Sequence, residues 1–340
     1  MLTNSSHSEN CQNCVENEKK NGLATLRQHY LKFYPNIDPS QLELNFLDVR
    51  WNNTCNLGCL YCNPTFSSTW VDRLHREKKI LPVKAYQDEL LDWILKQIHN
   101  LHEIMLVGGE PMLMKQNYAL LSKLPENCKI NIITNLSYDL ENLPCWNDLL
   151  KRPPEMISWN VSLENTGEKF EYVRSGSDWR QVQENFALLK KHWPMNVSLN
   201  MVYNLLSAFD LPETVQYFHK IGVKKFNLFP VEQNFQIELS NFPQDIRALA
   251  HEKLKQAQQI HLDSIPAEDH DLYSFQGLDA ILDSILENNP TTTIDLKEFD
   301  KKIQWYDQWG RKRFADLWPD LNDLVRNHLK TCKSPASILK

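Results

Sequence analysis

Residues 54–62 read TCNLGCLYC. The stretch sets Cys55, Cys59 and Cys62 within eight positions, as C-x3-C-x2-C. Thiolates are the preferred ligands of iron–sulfur clusters, and a loop of this spacing can bring three of them to one face of a cubane. Zinc competes, but closed structural zinc sites take four protein ligands. No fourth Cys or His lies beside this loop. Three packed structural thiols are the plainest alternative. The Asn and Gly residues between them speak against it.

Outward from the loop, the composition is that of an ordinary soluble globular chain. It has 340 residues, 42% hydrophobic and 24% charged, enough for one large domain with an added module. The net charge of -6 gives no support to nucleic-acid binding. The polar start, MLTNSSHSENCQNC, lacks the apolar core of a signal peptide, and no apolar run is long enough to span a membrane. Eight cysteines without an export signal predict a reducing, cytoplasmic setting, where clustered cysteines are metal ligands or redox groups.

The loop follows a strand expected over LNFLDVRW (44–51). Further strands are expected at HEIMLVGG (102–109), KINIITN (129–135), MISWNVSL (156–163), NVSLNMVYN (196–204) and KKFNLFPVE (224–232). They read as apolar runs, as parallel strands covered on both faces do. Helical spacing separates them, for example in DWRQVQENFALLKKHW (178–193), opened by a capping Asp. LPETVQYFHKIG (211–222) reads as a helix with Pro in its first turn. Six strands alternating with helices predict an α/β fold, a partial (β/α)6 TIM-like barrel with its site at the strands' carboxyl ends. The expected division is a polar N-terminal extension over 1–43, the barrel over 44–232, and a mostly helical C-terminal module over 233–340. The aromatic tail of that module is broken by Gly310 and Pro319.

The motifs at the strand ends carry a resemblance. CNLGCLYC, with aromatic Tyr61 before the third cysteine, resembles the cluster loop of the radical S-adenosylmethionine (radical SAM) enzymes. The resemblance implies a [4Fe–4S] cluster on Cys55, Cys59 and Cys62, with its fourth iron left for the amino and carboxylate groups of SAM. GGEP (Gly108, Gly109, Glu110, Pro111) resembles the family motif that meets the SAM amino group. Glycines permit close backbone approach, and a carboxylate accepts from an ammonium. Thr134 and Asn135 fall where the family has polar SAM contacts. Ser162 in VSLE resembles a SAM-contacting Ser of peptide-modifying members, and Arg174 resembles the Arg there that meets the SAM carboxylate. A surface pair of Arg174 with Glu171 or Asp178 is the structural alternative. Asn200, Tyr203 and Asn204 are candidates to face the ribose or substrate.

The resemblance covers roughly residues 44 to 232. The whole chain is similar to twitch-domain radical SAM proteins in its leading C-x2-C, the RSGSDW wording and the aromatic tail. Cys11 and Cys14 are spaced as half of a second metal site, with zinc or free thiols as alternatives. Cys128 and Cys145 read as packing residues, and Cys332 as a tail cysteine or a hydrogen-atom donor.

The resemblance implies reductive cleavage of SAM to a 5′-deoxyadenosyl radical and hydrogen abstraction, with an electron donor such as a flavodoxin or ferredoxin. The expected substrate is a peptide or protein side chain, crosslinked, epimerised or oxidised. A small molecule, such as a nucleobase precursor or sugar, is the alternative. A non-catalytic iron–sulfur or zinc protein belongs to another class, and RNA modification is disfavoured by the charge.

Overall fold

Every second residue of the central strands is buried, and its neighbours are only half-buried. In β5 (Ile157–Ser162) the buried residues are Ile157, Trp159 and Val161, alternating with Ser158, Asn160 and Ser162. In β7 (Val197–Tyr203) Val197, Leu199, Met201 and Tyr203 are buried, alternating with Ser198, Asn200 and Val202. This corrects the expectation of strands apolar on both faces. One face packs under helices, and the other lines a polar interior.

The computed structural model describes residues 44–74, 84–231, 236–270, 272–273, 275–286 and 296–331. From residue 45 on, the described residues form one compact unit. Its sheet has seven parallel strands in the order β1-β3-β4-β5-β7-β8-β9. The others are β1 (Phe46–Val49), β3 (Glu103–Leu106), β4 (Lys129–Thr134), β8 (Lys225–Pro230) and β9 (Phe275–Gln276). A separate antiparallel ribbon pairs β2 (Gly58–Cys59) with β6 (Arg174–Ser175). The α/β reading and the six expected strands therefore stand. The seventh, β9, comes from the C-terminal part and is too short to show any period in sequence.

Two helix details differ from expectation. The helix after β7 spans Leu205–Lys220, so Pro212 lies inside it. Asn204 caps it, accepting from Leu206 N at 2.9 Å and Ser207 N at 3.3 Å, with the Ser207 hydroxyl accepting from Asn204 N. Asn204 is thus a capping residue, spent on helix geometry. Pro319 opens the helix Pro319–Thr331 instead of breaking one, its missing N–H costing nothing there. Asp178 does cap the helix Trp179–His192, as expected.

The C-terminal part is otherwise helical, with Gln244–Asp263 packed along Leu205–Lys220, then Leu278–Ile285, Leu296–Tyr306 and Phe314–Leu317. Among the described residues no helix is long and apolar enough to cross a membrane. Cys128 and Cys145 are buried in the core, their thiols pushed up to about 12 by burial. Cys11, Cys14 and Cys332 lie outside the described residues.

Candidate cluster and cofactor site

The cysteine loop follows β1 and is held from three sides. The first is the segment that follows it, with the helix Ser68–Arg73. There Ser67 Oγ donates to Leu57 O (2.7 Å), Thr69 Oγ1 to Cys55 O (2.8 Å), Trp70 Nε1 to Cys59 O (2.9 Å) and Arg73 Nη1 to Gly58 O (3.2 Å). The second is β6, which pairs Arg174 with Cys59. The third is the C-terminal part: the Tyr306 hydroxyl bonds Gly58 O at 2.8 Å and Val173 O at 3.1 Å, and Trp305 stacks on Trp70 at 5.3 Å. The loop's carbonyls thus have partners that fix its path.

Burial raises all three thiols, Cys62 to about 11, and Cys59 and Cys55 also upward. Cys62 and Cys55 add to the rise at Cys59, and Cys55 adds to that at Cys62, as neighbours in one pocket do. The Arg174 guanidinium opposes the rise at each. A metal bound here would displace protons.

The GGEP turn lies against the same loop. Gly108 and Gly109 have φ of 82° and 35°, in the left-handed region. A Cβ on Gly109 would lie 2.2 Å from the Thr54 carbonyl oxygen. The turn can therefore approach the loop only without a side chain, and Glu110 N then donates to Thr54 O at 2.7 Å. Pro111 is buried, and its carbonyl accepts from Asn117.

Glu110 is fully buried. Its Oε1 accepts from Thr134 Oγ1 (2.8 Å) and Met112 N (3.2 Å), and its Oε2 from Asn135 N (2.7 Å). Burial pushes the carboxyl up to about 7, and these hydrogen bonds limit the rise. Asn135 also donates to Asn56 Oδ1 at 2.8 Å and reaches Cys55 Sγ at 3.8 Å. The Gly-Gly-Glu turn, the end of β4 and the cysteine loop are thus one hydrogen-bonded assembly.

Arg174 has the partner that sequence reasoning missed. Its Nε and Nη2 donate to Glu164 Oε2 (2.8 Å) and Oε1 (2.6 Å), a buried fork. Glu164 also accepts from the Tyr61 hydroxyl (2.9 Å) and Val202 N (3.2 Å). Arg174 Nη1 points to Cys59 Sγ at 3.9 Å, and its guanidinium stands 5.6 Å from the Tyr61 ring centre. Burial alone would lower the Arg174 pKa, but Glu164, with Tyr61 and Cys59 adding, more than offsets this and holds it charged. Glu171 accepts from Trp179 N and Asp178 caps its helix, so neither is the partner of Arg174. In sequence Glu164 is one carboxylate after a strand, and no local pattern ties it to a residue ten positions on.

Ser162 and Asn200 are register partners on the interior face of β5 and β7. Asn200 accepts from Asn227 at 2.9 Å. Tyr203 faces the helices, buried, with its hydroxyl unpaired.

The residues fit the group the loop implies. Among the described residues no three His, Cys, Asp or Glu side chains draw close enough to bind a single metal ion. A cubane takes each thiolate on a different iron and so asks for three neighbouring thiols rather than three ligands on one ion, which Cys55, Cys59 and Cys62 suit. A buried carboxylate, Glu110, and a buried guanidinium, Arg174, flank the loop, and of that guanidinium Nη1, which reaches Cys59 Sγ, is the nitrogen not taken by Glu164.

Residues 49–216 match the model of the Radical SAM superfamily. The chain is 23% identical over 206 residues to a GTP 3',8-cyclase of Peptoclostridium acidaminophilum, covering 57% of this chain and 58% of that one. It thus spans less than two thirds of that relative. Among solved structures it is similar to anSMEcpe with bound AdoMet (18% identity, 63% of this chain and 59% of that, TM-score 0.45). It is similar also to Streptococcus suis SuiB bound to S-adenosylmethionine (17%, 80% and 63%, TM-score 0.45). Cluster loop, Gly-Gly-Glu turn and strand-end polar residues all fall within the matched span, so the chain carries a Radical SAM superfamily domain over residues 49–216.

Proposed function

We propose that this chain is a radical SAM enzyme carrying one [4Fe–4S] cluster on Cys55, Cys59 and Cys62. The observation that supports it best is the Glu110–Thr134–Asn135 assembly bonded to the cysteine loop, since a purely structural cluster would need no such polar shelf. When bound, the cluster and SAM supply a 5′-deoxyadenosyl radical that takes a hydrogen atom from the substrate. The protein's own residues do the holding. Glu110, already anchored by three donors, accepts from the SAM ammonium. Arg174, with Nε and Nη2 committed to Glu164, offers its Nη1 edge to the SAM carboxylate. Tyr61 and Glu164 keep that edge aimed. Ser162 and Asn200 line the adjoining interior, where the substrate lies.

The polar interior and the GTP 3',8-cyclase relative both favour a small molecule as substrate. A peptide or protein side chain is the second reading, supported by the resemblance of the Arg174 segment. The C-terminal part is read as a shortened, twitch-like module, Cys11 and Cys14 as half of a second metal site, and a flavodoxin or ferredoxin as reductant.

The test is anaerobic reconstitution with iron and sulfide, then dithionite and SAM. Production of 5′-deoxyadenosine by the wild type, lost with cluster absorbance when Cys55, Cys59 and Cys62 are all replaced by Ala, is expected. Undiminished SAM cleavage by that triple variant would sink the reading, and a reconstituted protein that binds no SAM would make this a non-catalytic iron–sulfur protein.

A further inference from the structure

The barrel interior is lined unlike a packed core. In closed barrels the inward positions are filled by branched apolar side chains. Here Asn131 of β4, Ser158 and Asn160 of β5, and Ser198 of β7 face inward and are only half-buried. They line a cavity of about 340 Å³ that crosses the sheet from β4 to Gln276 of β9. That volume is at the lower end of small-molecule sites.

The wall is set in place by its own hydrogen bonds. Ser198 Oγ donates to Asn160 Oδ1 at 2.7 Å, and Asn131 Nδ2 to Glu103 Oε1 at 2.7 Å. The first bond turns the Asn160 amide nitrogen outward as a donor, and the second occupies the inward acid of β3. Lys225, the first residue of β8, lines the cavity and has no ion-pair partner among the described residues. No carboxylate lines it. A pocket with one cation, amide and hydroxyl groups and no acid is built for an anion rich in acceptors.

Its position suits the reaction. Sheet register steps from Lys225 to Ser198 and from Ser198 to Asn160. Asn160 lies two residues before Ser162, the end of β5, or roughly 7 Å along the strand. A molecule with its acid group at Lys225 therefore brings carbon atoms within reach of the strand ends, where Glu110, Thr134 and the cysteine loop meet.

We propose that the barrel interior is the seat of a small anionic substrate, its carboxylate or phosphate held by Lys225 and its acceptors by Asn160 and Ser158. The identity of this ligand as the substrate rests on the radical SAM reading, but its binding does not. A peptide backbone, neutral and extended, leaves the Lys225 ammonium without a partner.

Calorimetric titration of the reconstituted protein tests this, with guanosine 5′-monophosphate as the phosphate probe and glutarate as the carboxylate probe. One of the two is expected to bind with a Kd at or below about 1 mM. Lys225→Gln is expected to weaken that binding about tenfold, the loss of one charge-assisted hydrogen bond, and Asn160→Leu to weaken it similarly. Iron content and SAM binding should stay as in the wild type in both variants. Absence of binding by both probes, or binding unchanged in Lys225→Gln and Asn160→Leu, overturns the proposal. The triple cysteine variant separates the two readings: probe binding without a cluster keeps the anion site whatever becomes of the radical chemistry.

Discussion

Glu164 and Arg174 meet as a two-pronged ion pair, 2.6 and 2.8 Å, at the back of the cysteine loop. Both are almost wholly withdrawn from water, with side chains 0% and 5% exposed. Removing one partner leaves a buried charge alone, which costs about 3–5 kcal/mol. Glu164→Ala is expected to lose stability on that scale in urea denaturation. The double variant Glu164→Gln/Arg174→Met should recover much of it, since a neutral pair of similar volume buries no charge and the Gln oxygen can keep the Tyr61 and Val202 donors. A double variant as unstable as the single one would show that the pair has another role in folding.

Gly109→Ala tests the close approach of the turn to the loop. The methyl would meet the Thr54 carbonyl oxygen at 2.2 Å, a backbone atom that cannot swing aside, at a φ that L-residues avoid. A cost of about 1–3 kcal/mol in thermal stability is expected. Iron retained after reconstitution should fall with it, because the displaced segment is the one that carries Cys55.

Tyr306→Phe removes one hydroxyl shared by two carbonyls, that of Gly58 in the loop and that of Val173 at the end of the helix Gly167–Val173. Gly58 O keeps Arg73 Nη1 and Val173 O keeps Leu60 N as donors, so the loss is that of one ordinary hydrogen bond, about 0.5–1.5 kcal/mol. The variant is expected to keep its fold and to lose its cluster to air faster than the wild type, as read by the decay of visible absorbance.

Much of this site is legible in the sequence because its motifs are local. Cys55, Cys59 and Cys62 share one loop, and Gly108 to Pro111 one turn. Glu164 and Tyr306 are not legible, since their partners lie ten and 248 positions away and only the folded chain brings them together. The polar interior is a different case. The letters S-x-N-x-S at 158–162 and S-x-N at 198–200 alternate with apolar residues at the period of a one-sided strand. Counting apolar residues over each whole strand hides that period. β9 offers two residues and no pattern at all.

A histidine pair is expected to make the fold sensitive to acid. Burial pushes the His219 imidazole down to about 4, with His261, 3.1 Å away, and Lys224 lowering it further. The unfolded chain takes up this proton near pH 6.5, and the folded chain only near 4. Stability therefore falls as pH drops through that window and is unaffected by this group above it. With partial exposure discounted, the loss is about 1–2 kcal/mol. His219→Leu should flatten the pH dependence of the urea midpoint between these values, and an unchanged slope would assign the acid loss to other groups.

The strand β9 has a practical consequence for anyone dividing the chain. Gly277, directly after it, packs so near the Leu228 carbonyl that a Cβ there would lie 2.1 Å from its oxygen. The last parallel strand thus arrives from beyond residue 270, while Trp318 reaches back to Asp210 at 2.8 Å. A fragment ending after β8 would bare the part of that strand that β9 pairs, at Phe226 and Asn227, an invitation to intermolecular pairing. Grafting another C-terminal half onto this barrel would fail for the same reason unless the graft brought its own edge strand.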